Sequence, residues 1–196
     1  MTPVPATERE IRDRLLAQLA ERNTSGDLIA EEFRLDTGSF RIDVMQLGID
    51  LVGYEIKSEQ DTFARLANQL HAYNRVFDHL HLVCGPRHVD EAIRLLPSWW
   101  GILRADRLKD GSVTLTPLRP SKRNDRQEAF SLASLLWRDE ALAVLQSANL
   151  TAPKKASSHL LWEQLASAVP FDHLRQAVVD TLSQRTRYSA AAVSAM

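Results

Sequence analysis

Phe40-Arg41-Ile42-Asp43-Val44-Met45-Gln46-Leu47-Gly48-Ile49-Asp50-Leu51-Val52-Gly53-Tyr54-Glu55-Ile56-Lys57 is the stretch on which the reading of this chain turns. Leu47-Gly48-Ile49-Asp50 carries turn residues between two apolar runs, so Phe40–Gln46 and Leu51–Lys57 are expected as antiparallel strands. With the turn centred near Gly48-Ile49, residues whose numbers sum to about 97–98 face each other, which sets Asp43 against Glu55 or its neighbour. Strand side chains alternate, so Glu55 and Lys57 share one face while Tyr54 and Ile56 take the other. Two carboxylates and an ammonium therefore converge. Carboxylates this close repel, and the conflict calls for a proton or a cation. A hard divalent ion, Mg²⁺ or Mn²⁺, accepts carboxylate oxygens and keeps waters for a phosphate. Such a site can activate water at a phosphodiester while the lysine steadies developing charge.

Outward from the hairpin the pattern is regular. Upstream, Thr7-Glu8-Arg9-Glu10 reads as a capping box, and Ile11, Leu15 and Leu19 recur at helical spacing, so a helix is expected over residues 8–22. Asn23-Thr24-Ser25-Gly26-Asp27 ends it, and Leu28–Leu35 is a first strand, which makes the three strands a meander. Downstream, Asp61 to Phe77 places Phe63, Leu66, Leu70, Tyr73 and Phe77 on one helical face, and His79–Cys84 is a fourth strand. Val89–Leu96 reads as another helix, with Trp99–Arg104 and Val113–Leu118 as two further strands. The fold class is thus α/β, in the order αβββαβ, with a sheet flanked by helices. Three more helices are expected at Ser131–Gln146, Ser158–Ala168 and Asp172–Arg187, and a tail from Ser189 is expected to fray. The organisation that follows is a domain over 1–118, a basic linker over 119–126, a helical region over 127–188 and a flexible tail over 189–196.

Composition bounds the function classes. The 196 residues suffice for one full core and a small module. No apolar run is long enough for a membrane helix, and the N-terminus lacks the features of a signal peptide. A lone Cys84 rules out an internal disulfide framework and suits a reducing cytoplasm. CxxC, HExxH and Walker-type glycine loops are absent from the sequence. The net charge of −1 argues against coating nucleic acid through bulk positive charge, but it is unevenly spread. Residues 1–84 hold 9 Lys/Arg against 14 Asp/Glu, and the remainder holds 15 against 11.

The spacing from Asp43 to Glu55-Ile56-Lys57 resembles the D…ExK signature of the PD-(D/E)XK nuclease superfamily, and the element order resembles its restriction-endonuclease-like core. Gln69 and Tyr73 match the QxxxY pattern of RecB-like members. Gly38…Arg41-Ile42-Asp43, then Gly53 through Ser58 and Phe77-Asp78, looks like largely uncharacterised bacterial members near a DNA-repair-associated branch. The likeness is strongest over residues 28–84 and fades beyond 118. Ile42 stands where the signature's name has proline. The resemblance implies a divalent-metal-dependent nuclease acting on DNA, with Asp43, Glu55, Lys57, Gln69 and Tyr73 as catalytic residues. Metal ligands would be Asp43, Glu55, the Ile56 carbonyl and a third acid, Glu32, with Glu31 and Glu8 as fallbacks. The alternative is a catalytically silent protein of that fold, acting as a nucleic-acid-binding or partner-docking module.

Other features have plainer readings beside functional ones. Tyr73 lies on an apolar stripe and suits the core, whereas Gln69 on that stripe needs a hydrogen-bonding partner. His79 and His81 share a strand face without a third ligand at suitable spacing. Trp99 and Trp100 suit packing better than base stacking. Arg119, Lys122, Arg123 and Arg126, with Lys154 and Lys155, are candidate phosphate contacts. The helices on either side of Lys154-Lys155 loosely resemble a SAP-type DNA-binding module, and a helical cap explains them equally well.

Overall fold

Apolar positions on opposite faces of alternating strands demand two covering layers, and the chain supplies both. The computed structural model describes residues 4–23, 26–35, 38–153 and 155–194, with side chains described through Arg185. Helix α1 (Glu8–Arg22) starts at the expected capping box, in which the Thr7 hydroxyl accepts from the Glu10 amide and the Glu10 carboxylate accepts from the Thr7 amide. Strands β1 (Leu28–Leu35), β2 (Phe40–Leu47) and β3 (Leu51–Lys57) form the meander. Helix α2 (Leu66–Tyr73) carries the chain to β4 (His79–Cys84), which runs parallel to β3. A 3-10 turn and α3 (Val89–Leu95) lead to β5 (Gly101–Arg107), parallel to β4, and β6 (Val113–Arg119) closes the sheet antiparallel. The result is a six-stranded mixed sheet in the order β1-β2-β3-β4-β5-β6.

One face sets Val44, Tyr54, Ile56, Val83 and Leu103 against Ile11, Leu15 and Leu19 of α1. The other sets Ile42, Met45, Leu47, Leu80, Leu82 and Ile102 against α2 and four C-terminal helices. These are α4 (Ala129–Ala133), α5 (Arg138–Ser147), α6 (Ser158–Ala168) and α7 (Phe171–Ser194). Leu132, Leu136, Leu161, Leu174 and Val178 belong to the same core as the strands, so the helices are a layer on the sheet. Among the described residues no helix is long and apolar enough to cross a membrane.

Two elements differ from the periodicity. Helix α2 is shorter than the expected span from Asp61 to Phe77. The Asp61 carboxylate instead accepts from the Ser58 amide and hydroxyl, each at 2.7 Å, which holds the preceding residues in a turn. The helix expected over Ser131–Gln146 breaks into α4 and α5. Trp137 takes extended backbone (ψ 161) and donates its amide to the Glu140 carboxylate at 2.7 Å, starting a new helix. Residues 119–126 do not hang free. Lys122 donates its amide to the Trp99 carbonyl, and buried Asn124 donates to the carbonyls of Asn74 and Phe77.

Candidate binding cleft

At Asp43, β2 leaves both of its ladders. Pairing with β3 runs from Leu47↔Leu51 to Val44↔Tyr54 and stops there. Pairing with β1 passes from Glu31↔Val44 to Phe33↔Ile42, skipping Glu32 and Asp43. Glu32 adopts φ 56, a left-handed conformation uncommon outside glycine, and this breaks the ladder. Side chains take up backbone groups around the break. The Ile56 amide donates to Asp43 Oδ2 at 2.7 Å, Arg12 donates to the Asp43 carbonyl at 3.3 Å, and the Tyr73 hydroxyl lies 2.6 Å from the Arg41 carbonyl.

Glu55 is 1% exposed, on the face that meets α2. Its Oε1 accepts from Lys57 Nζ at 2.6 Å and from Gln69 Nε2 at 2.8 Å, and its Oε2 lies 3.0 Å from the Tyr73 hydroxyl. That hydroxyl has one proton to share between Glu55 and the Arg41 carbonyl. Burial first, then the Glu55 charge, raises the Tyr73 pKa and keeps the phenol neutral. The Asp43 carboxyl is pushed up to about 7, chiefly by burial and next by the charge of Glu55. The Ile56 amide, Arg12 and Lys57 pull it the other way.

The structure thus brings Asp43, Glu55, Lys57, Gln69 and Tyr73 together. Glu32 stands apart. The register puts it level with Asp43, but its carboxylate is held by Arg12, at 2.6 Å, and by Arg41. Glu8 is likewise bound by Arg12, at 2.5 Å, and Glu31 lies 3.7 Å from the same guanidinium. Among the described residues no group of three or more His, Cys, Asp or Glu side chains is arranged to hold a metal ion. The third acid of the expected ligand set, Glu32, thus faces Arg12 and Arg41 in this structure.

Arg12 is the central residue that sequence reasoning missed. Burial works against its charge, but Glu8, Asp43 and Glu32 outweigh that cost and raise its pKa. Its spacing of four from Glu8 was the available signal; its reach to β2 depends on how α1 packs. A cleft of about 730 Å³ opens over these groups. It is lined by five carboxylates and five cationic side chains, among them Arg34 and Arg65, both exposed.

The other expected contacts lie elsewhere. None of Arg119, Lys122, Arg123, Arg126 or Lys155 lines the cleft. Arg119 donates to the carbonyls of Trp100 and Pro97, and Arg123 pairs with Asp50 and Asp78. Lys122, Arg126 and Lys155 are exposed, and Lys154 lies outside the described residues. Trp100 is fully buried, donating to Asn74 Oδ1 at 2.8 Å, so it belongs to the core. His81 stacks on Tyr54 with ring centroids 4.9 Å apart, and burial drives its pKa down to about 4.

A family described as Bacteriophage P4 protein cII matches residues 3–195. The chain belongs to the bacteriophage P4 cII family. Protein cII of Enterobacteria phage P4 is 24% identical over 179 residues, which cover 91% of this chain and 67% of that protein. No solved structure matches the chain. This membership overturns the nuclease-superfamily assignment and the DNA-cutting function inferred from it. It also replaces the alternative of a silent protein of that superfamily. The physical source of the error is visible. Asp43, Glu55-Ile56-Lys57, Gln69 and Tyr73 match that signature in type and spacing, and the fold gathers their side chains, in a chain that belongs to a different family.

Proposed function

We propose that this cII-family chain uses the cleft to bind a divalent cation, Mg²⁺ or Mn²⁺, and through it the phosphate backbone of DNA. The observation that supports this is the pair of carboxylates at the base of a wide polar cleft, with acceptor sites unused. Each carboxylate oxygen can accept about two hydrogen bonds. Lys57 and Gln69 fill Glu55 Oε1, whereas Glu55 Oε2 and both oxygens of Asp43 have one partner each among the described residues. Mg²⁺ is commonly held by one or two carboxylates with waters and a ligand's phosphates, so two acids and the Ile56 carbonyl are a sufficient protein contribution. With its acids ionised, the cleft lining is formally neutral, and a bound divalent ion makes it cationic toward a phosphodiester. No bond cleavage belongs to this reading. The buried Cys84 thiol is pushed up to about 12 by burial and by Glu59, which keeps it protonated and unreactive.

The test is fluorescence anisotropy of labelled DNA with the intact chain in Mg²⁺, Mn²⁺ or EDTA, beside Asp43→Asn and Glu55→Gln. DNA binding is expected to strengthen with the divalent ion in wild type and to lose that dependence in both variants. Equal affinity of the wild type in Mg²⁺ and in EDTA would sink the proposal.

A further inference from the structure

The cleft does not end at Arg41. Glu32, Arg34 and Gly38 also line a second groove of about 630 Å³, which runs between β1 and the start of α5 and α6. Its character changes along the way from charged to aromatic. Trp137 is 63% exposed, the most exposed large aromatic among the described residues, and Trp162 and Phe33 line the same groove. Trp137 is not loose. The Arg185 guanidinium sits 4.0 Å from its ring centroid and is itself anchored by the Glu140 carboxylate and the Leu135 carbonyl. The Trp137 amide is bound by the same Glu140. An indole fixed by its backbone and by a cation on one face, with most of its surface in water, is a preorganised stacking platform.

We infer that this groove takes the unpaired bases of single-stranded DNA whose backbone occupies the neighbouring cleft. Bases stack on aromatic faces without regard to sequence, but only where they are unstacked from a duplex. Arg34 stands where the two grooves meet, exposed and paired with no carboxylate among the described residues, so it is placed to meet a phosphate passing between them. The carboxylates that share this lining, Glu31 and Glu32, are both engaged by Arg12. The inference rests on the proposed DNA binding in the cleft and adds the strand state of the ligand.

The experiment titrates the intact chain with oligo-dT of about 4 and about 12 nucleotides and with a duplex, all in Mg²⁺. Wild type is compared with Trp137→Ala, Trp137→Phe, Arg34→Ala and Asp43→Asn, with circular dichroism as the folding control. The longer single strand is expected to bind more tightly than the duplex. Trp137→Ala should weaken it on the order of tenfold and Trp137→Phe much less. Tryptophan emission should fall on saturation in wild type and fall less in Trp137→Ala. Long-strand binding that is unchanged in Trp137→Ala but lost in Asp43→Asn overturns the groove and leaves the cleft reading standing. No DNA binding in any form overturns both.

Discussion

A carboxyl pushed up to about 7 by burial and by a neighbouring charge has a consequence for stability. Asp43 binds its proton more tightly folded than unfolded, where its pKa is about 3.9. Its contribution is therefore fully present below about pH 4 and is lost as pH rises through about 7. His81 works in the opposite sense. Burial lowers it to about 4, so its contribution is present above about pH 6.5 and is lost as pH falls toward 4. Between these limits the two slopes oppose each other. With divalent ions chelated, Asp43→Asn should leave a stability that rises with pH over this window, and the variant should be more stable than wild type at neutral pH. Urea unfolding at about pH 4.5 and 7 measures both, and an unchanged difference between the two pH values would refute the Asp43 assignment. At this scale the sequence is half legible. Strand parity puts Glu55 and Lys57 on one face. Asp43 reaches them where β2 leaves its ladders, since Ile42 and Met45 face the same core and the alternation breaks between them. The arginines that claim Glu32 come from a helix and from two residues upstream of Asp43, and nothing in a one-dimensional pattern joins them.

Elements were readable where local signals agree and unreadable where a tertiary contact decides. The capping box fixed the start of α1, and α6 covers its expected span Ser158–Ala168, where the structure adds a cap in which the Ser157 hydroxyl accepts from the Leu160 amide. The boundaries of α2 and the break before α5 follow from the side chains of Asp61 and Glu140 capturing backbone amides, a choice that competes with helix and leaves the hydrophobic stripe unchanged. The basic segment from Arg119 to Arg126 looked like a linker because its composition is polar. Its backbone is nevertheless sewn to Trp99 and Asp78 by hydrogen bonds from the Lys122 and Asn124 amides. Strand β3 carries its own test. A Cβ on Gly53 would lie 2.7 Å from Leu80 Cδ2 and 3.2 Å from Phe77, and both side chains are fully buried with no room to retreat. Gly53→Ala should therefore destabilise the protein by about 1–3 kcal/mol, although alanine suits a strand at least as well as glycine. Thermal unfolding checks this, and a melting temperature equal to wild type would mean that β3 shifts to accommodate the methyl group.

At the scale of the whole molecule the question is whether the helices after residue 126 are a unit of their own. Their apolar side chains share one core with the strands, and a buried ionic contact ties the last helix to the sheet. Asp78, fully buried at the start of β4, accepts from the Leu51 amide at 2.8 Å and from Arg175 at 2.8 and 2.6 Å. Arg175 also reaches Asp50 at 2.9 Å and the Ile49 carbonyl at 2.8 Å, so it grips the β2–β3 turn from α7. Arg123 adds a second, more exposed guanidinium to Asp78 at 3.1 Å. Removing one partner of a buried pair leaves a charge without compensation, typically at about 3–5 kcal/mol. Arg175→Ala should fall at the lower end of that range because Arg123 remains. Arg175→Lys should recover only part of the loss, since an ammonium cannot bond both carboxylates and the carbonyl in the same planar geometry. Calorimetry of both variants and wild type should show a single transition that moves to lower temperature as a whole, because sheet and helices cannot lose their common core separately. Two separated transitions in Arg175→Ala, the sheet's unchanged, would instead make the C-terminal helices an independently folding layer held on by this contact.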